Sequence, residues 1–198
     1  MAVTDILITP AKIYRAPVGE ALPDESTIDY NEAWGGNWVD IGYTLQPVTL
    51  NYNREVFELM VEQINGAVKR RVTNEVAIIE TVLAESTPTN IGYAIGGTVT
   101  TTAAGAGQTA YQELKAGGST ILTEAAWGLE GLYENATGVK FPVRVFLYKA
   151  TAILNGPLSF AKAAGLGVPI QISALNDTAK TVGEQLISIQ RVTAVATS

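Results

Sequence analysis

Trp38 to Glu85 holds the longest unbroken series of strand signals in the chain, and within it apolar residues recur at every second position from Val48 to Tyr52. Successive side chains of an extended strand point to opposite faces, so this period predicts strands. Val48, Leu50 and Tyr52 fall on alternate positions. Val56, Glu58, Met60 and Glu62 then share one side of an extended segment, and Phe57, Leu59, Val61 and Gln63 the other. Asn65-Gly66 reads as the turn, since both residues tolerate positive φ. Ala67 to Leu83 is rich in β-branched residues and long enough for a strand that bends or breaks near Thr73-Asn74. The expectation is a long antiparallel hairpin, an arm at about residues 44–72 with a charged, partly exposed edge.

The flanking segments give shorter signals. Ile6 to Ala16 predicts a first strand, ended by Pro17 and Gly19. Residues 22–36 lack periodicity and close on Trp34-Gly35-Gly36-Asn37-Trp38, with Trp38 expected in the core and Trp34 covering it. Ser86-Thr87-Pro88 ahead of Ile91, Ala94 and Ile95, with Gly96-Gly97 behind, has the start and stop residues of one short helix. Residues 98–118 are biased toward Thr, Ala and Gly and read as a hairpin or insertion. Their GAGQTA, starting at Gly105, fits G-x-G-x-x-A, but the preceding TVTTTAA is too polar for the buried strand that a dinucleotide fingerprint follows.

Between Thr120 and Glu134, Leu122, Ala125, Ala126, Leu129 and Leu132 fit helical spacing, whereas Trp127, Leu129 and Tyr133 fit a strand broken by Gly128 and Gly131. The glycines and the turn Asn135 to Gly138 favour strand and hairpin. Val143–Leu154, Leu158–Phe160, Ile170–Ile172 and Leu186–Ile189 complete the strands, with Asp177 in the last loop. Many short strands and one short helix predict a mainly β fold, an antiparallel β-sandwich or barrel with a flanking α-helix, in a single domain over residues 1–198.

Composition then removes chemistries. The chain has no histidine and no cysteine, which excludes imidazole triads, HExxH zinc sites, thiolate ligands and disulfides. Charged residues are 16% of the chain, against a typical ~25%. Either apolar surface is hidden in subunit contacts, or this is simply an uncharged Thr/Ala/Gly-rich β protein. A net charge of −6 argues against a surface built to grip nucleic acid. MAVTDILITP has no basic start and is cut by Asp5 and Pro10, so no signal peptide is expected, and no apolar run is long enough to span a bilayer.

Glu130 and Glu134 are the pair a glycosidase would need. With no converging polar cluster around them, they are expected to be solvated or inter-subunit charges. No catalytic residue, cofactor or metal site is expected. Lys69-Arg70-Arg71 reads as a phosphate-contacting patch or as a salt-bridging edge. Adjacent strand residues alternate sides and cannot form one stripe, which favours the edge.

In order along the chain come WVDIGYT (38–44), the hairpin with its acidic then basic run (Glu55 to Arg71), and the Thr-Pro helix (87–95). LeuGluGlyLeu (129–132), ProValArgValPheLeuTyrLysAla (142–150) and AlaLeuAsnAsp…GluGlnLeuIle (174–187) follow. Taken as an ordered set over roughly residues 35–192, the chain resembles the major tail (tail tube) proteins of long-tailed bacteriophages. The insertion at 98–118 has no counterpart in that pattern. The resemblance implies a β-sandwich or barrel with a flanking helix, assembled in the host cytoplasm into hexameric rings that stack into a virion tube. Its partners would be further copies of itself, the tail-tip or baseplate initiator, the tape measure and tail terminator proteins, and viral DNA passing without specific binding. It implies a structural role without catalysis and without a membrane; a decoration or adhesin domain of a virion is the alternative.

Within that reading Phe57, Leu59, Val61, Lys69, Arg70 and Arg71 are inter-subunit candidates. Glu58, Glu62 and Glu75 are lumen-facing candidates, since an acidic wall repels DNA instead of binding its phosphates. The same acids could instead answer Lys69, Arg70 and Arg71, and both readings stand at this point.

Overall fold

A computed structural model describes residues 10–118, 121–134, 138–162 and 165–193. In chain order the elements are β1 (Lys12–Ala16), β2 (Val39–Asp40), β3 (Thr49–Val61), β4 (Ile64–Leu83), α1 (Pro88–Ile95), β5 (Thr98–Thr102), β6 (Tyr111–Lys115), β7 (Glu124–Glu134), β8 (Lys140–Leu154), β9 (Val168–Ala174) and β10 (Ile187–Arg191). The expected class holds: mainly β, antiparallel and sandwich-like, with one short helix. The main sheet runs β2-β1-β7-β8-β9-β4-β3, with β10 also on β8, and β5-β6 form a separate hairpin.

The main core joins Ile13 of β1, Trp127 and Leu129 of β7, Leu147, Ala150 and Ala152 of β8, the inward residues of β9 and β4, and Ala94 of α1. On β8 the inward positions are odd up to Leu147 and even from Ala150. The register explains the switch: Trp127 faces Leu147 while Ala125 faces Ala150, so β8 carries one extra residue there. A bulge of this kind re-aims the following side chains and bends the strand.

Helix α1 begins as its sequence requires. Thr87 Oγ1 accepts from Asn90 N at 3.1 Å, Pro88 takes the first position where no amide hydrogen is needed, and Gly96 ends it at φ 72. Buried Asn90 also donates from Nδ2 to Ile41 O and Glu85 O, both at 2.9 Å, which ties the helix to the segment after β2 and to the end of β4. The 98–118 insertion is a hairpin against this helix, with Val99 and Leu114 next to Gly92.

The other face of β1, β7 and β8 is covered by residues 17–38. Trp34 stacks on Tyr14 with ring centroids 4.0 Å apart and meets Trp38 edge-on at 5.2 Å and Phe146 at 5.3 Å. Trp38 is buried in this cluster as expected, with Nε1 donating to Ala21 O at 2.8 Å, whereas Trp34, expected as a cover, is buried in the same cluster and slightly deeper. Gly128 makes this possible, because a Cβ there would lie 2.3 Å from the Trp34 ring. The glycines therefore do not break β7, as the sequence suggests; Gly128 leaves room for an indole.

Other expectations shift. The hairpin turn is at Glu62-Gln63, between Val61 and Ile64, and not at Asn65-Gly66, which lie in a bulge of β4. Thr73, by contrast, is left over where Glu55 faces Asn74 and Val56 faces Val72, a bulge at the anticipated bend. Leu158–Phe160 form no strand; Leu158 packs on the core behind Pro157, which has no amide hydrogen for a ladder. Residues 6–9 of the expected first strand, Thr120 and the turn at 135–137 lie outside the described residues.

Candidate functional site

Every residue from 51 to 74 is exposed, so the outer parts of β3 and β4 form an arm that stands off the body. The arm proper starts later than expected from the sequence: Thr44 bridges to Leu83, and β4 pairs with β9 only over Ile78–Leu83. Beyond that point β4 pairs with β3 on one side and, among the described residues, with no strand on the other. Among the described residues β3 is the last strand of the sheet, so its outer edge is open as well. At a strand rise near 3.4 Å, thirteen residues expose an edge of about 40 Å.

Residues directly opposite in an antiparallel pair share a face. One face holds Phe57, Leu59, Val61 and Ile64, with Arg71 opposite Phe57 and Lys69 opposite Leu59. Phe57 is 58% exposed and Ile64 55%, values that belong to an interface without its partner or to surface apolar residues with no use. Lys69 and Arg71 make no ion pair among the described residues. The opposite face holds Val56, Met60 and Val72 with charges already answered: Arg70 Nε lies 2.7 Å from Glu58 Oε1. Nearer the body, Arg54 Nε lies 2.8 Å from Glu75 Oε1 and Arg54 also donates to Tyr52 Oη.

Among the sequence candidates, Phe57, Leu59, Val61, Lys69 and Arg71 are thus brought to one face, and Arg70 is separated onto the other. Glu58 and Glu75 are paired within their own hairpin. Glu62 is in the turn and shares no regular strand face with Glu58, because the strand ends at Val61.

Glu130 requires a larger correction. It is neither solvated nor free for a subunit contact: both it and Arg144, directly opposite it on β8, are completely buried. Arg144 Nε and Nη2 donate to Glu130 Oε1 at 3.1 and 3.0 Å, and Nη2 also donates to Ile28 O at 2.8 Å. Nη1 pairs with Glu25. Glu130 Oε2 accepts from Asn31 N at 3.1 Å, and Oε1 from Trp34 Nε1 at 3.3 Å. The network fastens the 24–34 segment to the sheet and keeps Glu130 out of any cleft that it could share with exposed Glu134. Burial and the Glu130 charge push the Tyr14 phenol well above its ordinary range.

Sequence reasoning passed over Arg144. The available signal was a lone arginine inside ProValArgValPheLeu, opposite a lone glutamate inside GlyLeuGluGlyLeu across one hairpin. Two isolated opposite charges in apolar strands are costly to bury unless they meet. Among the described residues no group of three acidic side chains could hold a metal ion, and no helix is long and apolar enough to cross a membrane. No family model and no curated protein matches the chain.

Proposed function

We propose that the protein is a self-assembling structural subunit and, following the resemblance in its ordered strand segments, a subunit of a phage tail tube. In this reading hexameric rings stack into a tube in the virion whose lumen conducts viral DNA. The observation that carries it is the arm: an apolar row, Phe57, Leu59, Val61 and Ile64, flanked by two unanswered cations and bordered by open strand edges. Open edges invite pairing with another chain, and most proteins blunt them. A subunit whose task is to pair with its neighbours keeps them.

The rest of the molecule suits that partner. Residues 49–76 contain four basic and four acidic side chains, so the whole net charge of −6 resides elsewhere on the chain. Lys69 and Arg71 would meet acidic surface on a second copy. Glu62 makes no ion pair among the described residues and stays available to a lumen wall, whereas Glu58 and Glu75 are answered within the hairpin. Negative-stain microscopy of the purified protein, alone and with a tail-tip initiator, tests the proposal. Rings or tubes support it; discrete monomers or trimers at all concentrations reject it in favour of a decoration or adhesin domain.

A further inference from the structure

We propose that Asn65 is a site of spontaneous deamidation, and that the chain's second Asn-Gly pair, Asn155-Gly156, is held back from the same reaction by its neighbours. In this chemistry the backbone nitrogen of the following residue attacks the asparagine Cγ. The N–Cγ bond forms, the Cγ–Nδ2 bond breaks, and ammonia leaves carrying the proton of the attacking nitrogen. Water then opens the succinimide, giving aspartate or its β-linked isomer. A glycine in the second position favours the attack, because no side chain restricts its backbone or shields its nitrogen.

The two sites differ in what restrains them. At the arm tip the ladder passes from Met60–Ala67 to Val61–Ile64, so neither Asn65 nor Gly66 has a cross-strand partner. Gly66 has φ 118 and open space where a Cβ would lie. Asn65 is exposed, and its side chain makes no hydrogen bond among the described residues. Asn155 is also exposed, but its Nδ2 donates to Glu80 Oε1 at 2.9 Å and its backbone N to Pro169 O at 3.0 Å. A Cβ on Gly156 would lie 3.1 Å from the Pro169 ring, so this glycine has little room to turn toward the amide. Exposure is shared; restraint is not.

Conversion at Asn65 has a defined consequence. It adds a carboxylate to a charge-balanced arm, close to Glu62 at the turn, and the β-linked product adds one methylene to the backbone of the bulge. The full-length protein, held in mildly alkaline buffer, is sampled over time by peptide mass mapping and by isoaspartyl methyltransferase labelling. Asn65 should convert at least about tenfold faster than Asn155, a barrier difference of about 1.4 kcal/mol. Asn65→Gln should abolish the label in that peptide. Glu80→Ala should raise the rate at Asn155 and leave that at Asn65 unchanged. The proposal is overturned if Asn155 keeps pace with Asn65 in the unaltered protein, or if Glu80→Ala leaves Asn155 as slow as before.

Discussion

Arg144 and Arg70 each lie directly opposite a glutamate on the neighbouring strand, and each makes an ion pair with it, at 3.0 and 2.7 Å. Geometry hardly distinguishes the two pairs; their surroundings do. Arg144 and Glu130 have lost all contact with water, and every attachment that the network makes draws the 24–34 segment down. Arg70 and Glu58 are 69% and 45% exposed, where solvent screens the attraction and two long side chains must be ordered to gain it. The same residue pair therefore closes a fold in the body and merely neutralises one face on the arm. That neutralisation matters for specificity: it leaves the opposite arm face, with Lys69 and Arg71, as the charged one.

The largest effect should come from the buried pair. Arg144→Leu leaves Glu130 buried without its counter-charge and should cost about 3–5 kcal/mol in a urea titration. If the loss is under about 1 kcal/mol, the pair behaves like its exposed counterpart and the contrast collapses. Gly128→Ala should cost about 1–3 kcal/mol, because the methyl group meets the Trp34 ring. Its near-ultraviolet dichroism should also change, as Trp34 leaves the Tyr14–Phe146 stack.

Glu25 makes the buried network sensitive to pH. Burial pushes its carboxyl above the ordinary range against the pull of Arg144, with the nearby charges of Glu130 and Asp24 adding to the rise. The guanidinium is already shared with Glu130, and Glu25 Oε1 is buried without a hydrogen-bond partner. A raised folded-state value favours the protonated form, so this contribution is present at acid pH and fades as pH rises through that value. Glu25→Gln should flatten the fall in stability between mildly acidic and neutral pH, read from urea midpoints; an unchanged slope removes Glu25 from the network. The smallest effect belongs to Glu58→Gln, at most about 1 kcal/mol, in the same titration.

How much of this was legible in the sequence follows the same divide. Period-two alternation is a local property, so β3, β4 and β8, the one helix with its Thr87-Pro88 start, and the faces of Phe57 and Leu59 were all readable. The turn was not, because Asn65-Gly66 has the right chemistry for a turn and serves equally well in a bulge. Nor was the Leu158–Phe160 segment, whose apolar residues pack as irregular chain. The Trp34–Gly128 contact joins residues far apart in the chain, and the burial of the Glu130–Arg144 pair depends on which face the irregular 24–34 segment covers. A glycine in a strand pattern signals a close approach without naming what approaches. The arm's lack of contacts was legible for the opposite reason: nothing distant intervenes to override its local pattern.

In the proposed function the Phe57–Leu59–Val61 face of the arm serves assembly and is not part of what holds the subunit together. Light scattering on the full-length protein and on Phe57→Asp/Leu59→Asp, at matched high concentration, separates the two roles when joined to a dilute urea titration of each. Expected are a large assembled mass for the unaltered chain, a subunit mass for the double variant and, in urea titrations run dilute enough that neither protein assembles, midpoints that coincide because both side chains are already exposed in the subunit. Equal masses for the two proteins, or a double variant that unfolds at much lower urea, would contradict it.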